Sequence, residues 1–264
     1  MAARMAGYLR PDGYVGPRGL RPLIGETRLL CEASHLALRR TARGEPDGDD
    51  QPVLLIPGFM AGDLSLLPMA RWLRARGYRT YRAQIRSNVG CARSVGDRLE
   101  LRLEDIVRRR GRPVALVGHS LGGLLAKGLA TRRPDLVAGV VALGSPLLAP
   151  GAVHAVLTFD LAVLATLERL GLGALVMGAD CIGGDCARSS WEELGRALAP
   201  ELPFTSVYSR SDGIVDWRAC LDPAARHVEV VTSHLGMAVD AAVWAAVATA
   251  LTDGADEAVT GLAG

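Results

Sequence analysis

The chain has little of several things that would settle its class at once. Aromatic residues make up 5% of its 264 positions although 49% are hydrophobic, so the core has to be built mainly from Ala, Leu and Val. Neither sign of charge prevails: 30 basic against 28 acidic residues leave a formal +2, which gives no electrostatic footing for nucleic acid. No charge-free apolar run reaches 18 residues, and the N-terminus MAARMAGYLRPDGYVGPRG has no continuous apolar segment. These absences predict no signal peptide and no integral membrane segment, and hence a cytoplasmic protein. Five cysteines, Cys31, Cys91, Cys181, Cys186 and Cys220, are too few and uneven for a disulfide framework. Cys181 and Cys186 frame CIGGDC, a loop that a disulfide could close, but a reducing compartment favours free thiols. No second Cys or His pair stands beside them at zinc spacing, so neither a metal nor a cofactor is expected. GHSLGG is not G-x-G-x-x-G and follows a middle strand, and no Gly-Lys-Ser/Thr occurs; dinucleotide and phosphate-loop chemistry are therefore set aside.

What remains is a rhythm. The length suits one α/β domain over 1–264 with a sizeable core. After a Pro- and Gly-rich start, the Leu29, Leu30, Leu36 and Leu38 spacing predicts a leading amphipathic helix over 18–43, with Arg39, Arg40 and Arg43 at its basic end. VLLIP at 53–57 is a short all-apolar run, the pattern of a parallel strand buried on both faces. Helical stretches then alternate with strand candidates at 78–85, 113–118, 137–146, 204–209 and 226–233, and a last helix covers 237–251. Such alternation predicts a doubly wound, mostly parallel sheet. The Arg108–Arg112 cluster falls where a helix ends, where cations complement the carbonyl dipole. Residues 151–189 interrupt the rhythm, nearly all apolar to about 178, and are read as a helical cap over an apolar pocket. The small, polar residues 252–264 are expected to be disordered.

Within VALVGHSLGG a strand runs straight into a serine framed by Gly118, Gly122 and Gly123. Strand, G-x-S-x-G, then helix is the setting of a nucleophile elbow, which puts Ser120 forward as a nucleophile. A serine hydroxyl needs a base and an acid that orients it, and both should lie at the carboxyl ends of strands. Five histidines compete. His35 is on the leading helix, His119 points away from its neighbour Ser120, His154 is in the cap and His227 opens a strand at the wrong edge. His234 follows the last strand's end and is the chosen base. For the acid, Asp212 lies three residues past a strand end in a turn closed by Gly213 and is favoured. Its rival Asp216 reads better as the cap of DWRACL.

PGF at 57–59, GHSLGG, YSRSDGIV and SHLGM resemble the four motifs of the α/β-hydrolase superfamily, and within it the small bacterial lipases and esterases, over about 52–251. The resemblance implies an α/β-hydrolase fold and the chain order Ser120, Asp212, His234. It also implies an oxyanion hole from the backbone N–H groups of Phe59 and Leu121, with Pro57-Gly58 where many lipases have His-Gly and Met60 as the other possible donor. The activity implied is cleavage of an apolar small-molecule ester or thioester through an acyl-Ser120. An acyltransferase or cyclase would use the same residues, and a non-catalytic binding protein would keep the fold without the chemistry.

Overall fold

The computed structural model describes residues 7–29, 32, 48–171 and 176–261. Six strands, β1 (Pro52–Ile56), β2 (Arg79–Arg82), β3 (Val114–His119), β4 (Val137–Leu143), β5 (Phe204–Tyr208) and β6 (Arg226–Glu229), form one sheet in the order β2-β1-β3-β4-β5-β6. Every neighbouring pair is parallel. The helices whose whole span is described are α1 (Leu20–Gly25), α2 (Leu67–Ala75), α3 (Ala92–Arg110), α4 (Leu121–Arg132), α5 (Ala155–Arg169), α6 (Ala179–Gly183), α7 (Asp185–Leu194) and α8 (Ala241–Gly261).

Alternation along the central strands explains why they read as unbroken apolar runs. Leu54, Ile56, Val114, Leu116, Val140 and Ala142 face a core shared with Leu99, Leu103 and Ile106 of α3 and Leu125 and Leu129 of α4. Their neighbours Val53, Leu55, Ala115, Val117, Val141 and Leu143 face the opposite core, with Met69 and Leu73 of α2 and Val243, Trp244 and Val247 of α8. Side chains on a strand point alternately to the two faces, so burial on both faces makes every position apolar. This is the doubly wound parallel sheet that the sequence pattern predicts.

Three expectations differ in outline. Among its described residues the leading segment forms the six-residue α1 and a 3₁₀ turn, Glu26–Arg28, with Leu29 and Glu32 again helical. Leu20 and Ile24 of α1 are exposed, whereas the buried residue is Glu26. Much of the helix expected over 18–43, with Leu30, Leu36, Leu38, His35 and the arginines at 39, 40 and 43, lies outside the described residues. The tail expected to be loose from 252 instead continues α8 to Gly261, with the ion pair between Asp253 and Arg226 tying its start to β6. Residues 262–264 lie outside the described set. The helical segment between β4 and β5 runs to Leu194, past 189, because α7 packs on α4, where Glu193 pairs with Arg132 at 2.7 Å. None of the described helices is long and apolar enough to cross a membrane.

Lys127, the only lysine in the sequence, lies in α4 with 9% of its side chain exposed and meets Asp222 at 2.6 Å. Removing one partner of a buried pair leaves the other charged and desolvated. Lys127→Ala should therefore cost about 3–5 kcal/mol in urea unfolding, and Lys127→Met with Asp222→Leu should recover most of it. A loss below about 1 kcal/mol for the single variant would contradict a desolvated pair.

Candidate active site

The strand order reverses between β1 and β3: from β1 the chain moves outward to β2, then returns to build β3 to β6 on the other side. A crevice opens at the carboxyl ends there, and register pairs Ile56 with Gly118 across it. The loop after β1 carries Phe59, and β3 delivers Ser120. Ser120 takes φ 55° and ψ −121°, a conformation costing about 1–3 kcal/mol for a residue with a side chain. The surrounding glycines are what permit it. A side chain at Gly118 would stand 2.2 Å from the Gly122 carbonyl oxygen, and one at Gly122 2.1 Å from that of Ile56. At Gly58 it would lie 3.0 Å from Cβ of Ser120. The first turn of α4 is thus seated directly on the ends of β1 and β3. The Ser120 N–H donates to the Leu143 carbonyl at the end of β4, 2.8 Å away.

At the far side of the crevice, β5 and β6 end in register, Tyr208 beside Glu229, and their following loops bring Asp212 to His234. Nδ1 of His234 and Oδ2 of Asp212 are 2.7 Å apart, with 4% and 1% of the two side chains exposed. The other Asp212 oxygen accepts the N–H groups of Ile214 and Val215 at 2.8 and 2.7 Å, which fixes the carboxylate's direction. A carboxylate only accepts, so Nδ1 carries the proton and Nε2 is left to take another. Asp216 does not come to His234. Its side chain caps the 3₁₀ turn Trp217–Cys220 through the Arg218 N–H and accepts from Val15.

Four residues that the sequence pattern did not single out hold these parts in place. Glu26, buried, accepts the N–H groups of Gly213 (2.8 Å) and His234 (3.0 Å) on one oxygen and of Leu235 (2.9 Å) on the other. One carboxylate thereby ties the Asp212 loop to the His234 loop. Glu32 continues the tie through Thr232 and Ser233. His119, set aside because adjacent residues on a strand point apart, sits at the strand's last position and reaches the next loop instead. Its ring lies 4.9 Å from that of His234, and its Nε2 is 3.0 Å from the His234 carbonyl oxygen. Burial, helped by neighbouring His234, pushes the His119 pKa down to about 3, so this ring stays neutral. Asn88, also buried, donates to the Pro57 carbonyl at 2.8 Å and takes the Met60 N–H on its own carbonyl at 3.1 Å. That leaves the Met60 N–H engaged, while among the described residues the N–H groups of Phe59 and Leu121 donate to no protein acceptor.

Burial opposes charge on His234, but the Asp212 carboxylate, through its charge and hydrogen bond, and the charge of Glu26 outweigh it. The imidazole pKa is raised above its ordinary value. Ser120 opens onto a cavity of about 190 Å³. Its walls are apolar, with Leu124 and Leu125 from α4, Leu157 and Leu161 from α5, and Met177 and Ile182 before and within α6. Among the described residues, the three thiols of Cys91, Cys181 and Cys186 are the one group close enough together to ligate a metal; none of them belongs to the Asp212–His234 pair.

Residues 53–263 match the model of the alpha/beta hydrolase family. Among solved structures, the mature form of the lipase BlEst2 from Bacillus licheniformis is similar at 16% identity and a TM-score of 0.58, covering 79% of this chain and 94% of that one. A monoacylglycerol lipase from Paleococcus ferrophilus is similar at 17% identity and a TM-score of 0.55, covering 80% and 96%. A pyrethroid hydrolase from Sphingobium faniae is similar at 21% identity and a TM-score of 0.53, covering 76% and 97%. At these identities the likeness is one of fold.

The Glu26 contacts make a pH prediction. Its negative charge favours the imidazolium, so Glu26→Gln should lower the His234 titration midpoint, read by ring-proton NMR. The wild-type midpoint should lie above about 6.5, the unperturbed value. An unchanged midpoint in a variant with native circular dichroism would mean that Glu26 does not act on His234 electrostatically.

Proposed function

The chain belongs to the alpha/beta hydrolase family, and on that premise we propose that it is a serine hydrolase cleaving a carboxylic ester, or a thioester, with an apolar acyl part. The observation that carries this reading is the buried Asp212–His234 hydrogen bond of 2.7 Å, in a chain whose Ser120 opens onto a mainly apolar cavity. In this reading Nε2 of His234 takes the Ser120 proton as Oγ attacks the acyl carbonyl. The N–H groups of Phe59 and Leu121 receive the oxyanion, and each such donor is worth about 100- to 1,000-fold in turnover. The imidazolium returns its proton to the departing alkoxide or thiolate, leaving acyl-Ser120. Water enters, His234 takes one of its protons, and the new tetrahedral species collapses to a carboxylic acid and free Ser120. Asp212 keeps one tautomer in place and stabilises the imidazolium throughout.

The acyl part is read as apolar because leucines, Met177 and Ile182 dominate the cavity walls, with Arg93, Arg132, Ser190 and Glu193 the charged or hydroxyl-bearing residues among them besides Ser120. The segment α5–α7 supplies half of that wall and acts as the cap. Similarity of fold to a lipase and a monoacylglycerol lipase fits the same substrate class. Asp216 has its own role as a turn cap, and its side chain is not available to the imidazole.

Intact mass after incubation with a fluorophosphonate, beside turnover of short p-nitrophenyl esters, tests the reading. One adduct per chain is expected in the wild type and none in Ser120→Ala. Asp212→Asn should cost about 1,000- to 10,000-fold in turnover, and Asp216→Asn far less. An adduct in Ser120→Ala, or the reverse ranking of the two aspartates, would overturn the assignment.

A further inference from the structure

Three of the four described cysteines converge at one seam. Their Sγ atoms all lie within 4.8 Å of one another, and those of Cys91 and Cys186 are 3.3 Å apart. They come from distant parts of the chain. Cys91 is the N-cap residue of α3, Cys181 lies in the middle of α6 and Cys186 in the first turn of α7. The turn between α6 and α7 explains how the last two come together. Oδ1 of Asp180 accepts the Asp185 N–H at 2.8 Å, and a side chain at Gly184 would stand 2.1 Å from that oxygen. A carboxylate therefore closes CIGGDC, and both of its thiols are left to reach across the seam to Cys91. The Met177 N–H, donating to the Val89 carbonyl at 2.7 Å, joins the same two pieces of chain.

We propose that Cys91, Cys181 and Cys186 form a three-sulfur site for a soft, thiophilic closed-shell cation, Zn²⁺ or Cu⁺, that staples α5–α7 to the N-terminus of α3. Thiolates select these ions over hard cations. A metal–sulfur bond near 2.3 Å sets the sulfurs of one ion about 3.8 Å apart, within the spread of this cluster. A disulfide would join two of the sulfurs and leave the third beside them without a purpose, whereas one ion uses all three. Each of the three residues is partly exposed, so an ion can enter from solvent and a water can complete a tetrahedral zinc. Binding forms three metal–sulfur bonds and sends the thiol protons to solvent, with no oxidant or reductant needed. Cys181 and Cys186 also line the cavity onto which Ser120 opens, so the ion would stiffen one wall of that cavity without touching the reacting atoms.

The test uses the full chain, reduced and freed of metal, and does not depend on any activity. Zn²⁺ is titrated against a chromophoric chelator, Cu⁺ against bicinchoninate, and Cd²⁺ is added to read the thiolate charge-transfer band in the ultraviolet. One ion per chain is expected, together with a raised melting midpoint and protection of the thiols from alkylation. Each of Cys91→Ser, Cys181→Ser and Cys186→Ser should weaken binding at least tenfold. Cys220→Ser, at a buried thiol outside the cluster, should not. The two competitions decide between the ions. Equal binding by the triple serine variant, no binding by the reduced wild type, or a disulfide as the only product of the cluster would each overturn the proposal.

Discussion

The site depends first on the backbone of Ser120 being held at a positive φ that its side chain disfavours. Locally the Gly123 N–H donates to the Ser120 carbonyl at 3.0 Å, and the sheet does the rest. The serine N–H is anchored on the end of β4, and α4 begins against the ends of β1 and β3 at distances that only glycine tolerates at 118 and 122. A parallel sheet buried on both faces makes this possible, because its central strands cannot shift register without exposing one core or the other. The strain is therefore carried by the packing of the whole domain. It turns the hydroxyl out of the sheet at the point where strand order reverses.

A second constraint acts on the opposite wall. The loops after β5 and β6 are stiffened by nothing longer than the 3₁₀ turns Trp217–Cys220 and Leu235–Ala238, yet the 2.7 Å contact between Asp212 and His234 has to be kept. Three kinds of tie do this. The Ser209 hydroxyl donates to the Thr232 carbonyl, Asp212 folds its own loop through two N–H groups, and Glu26 with Glu32 bridges the rest. The two glutamates come from before residue 53, where the family match begins. This chain thus uses its leading segment to fasten the Asp212 and His234 loops to each other. The same carboxylate that fastens them adds negative charge beside the imidazole, so mechanical and electrostatic effects of Glu26 act in one direction.

Much of this was legible in the sequence, for stated reasons. Apolar runs such as VLLI and VALV announce strands buried on both faces, and a serine set in glycine at a strand end announces a tight turn. Filtering by strand end was enough to bring Asp212 and His234 together and to leave Asp216 as a cap. Glu26 was not legible, because its partners lie 187 and 208 residues away and it sits in a segment read as an amphipathic helix from the spacing of Leu29, Leu30, Leu36 and Leu38. His119 was misjudged because strand alternation stops applying at the last residue of a strand, where the chain turns. The thiol cluster was hidden for a third reason: CIGGDC reads as a loop with two free thiols and no further ligand at zinc spacing, and only the fold brings Cys91 to it. Long-range polar contacts leave no periodic trace, and they are what the pattern missed.

A serine hydrolase of the proposed kind would pass its acyl group through Ser120. Rapid acid quench of the reaction with a p-nitrophenyl ester, followed by peptide mass mapping, reads that step. A burst of p-nitrophenol approaching one per chain is expected, matched by an acyl group on the peptide that contains Ser120. Steady product formation with no covalent acyl species, or an acyl group on another residue, would contradict it.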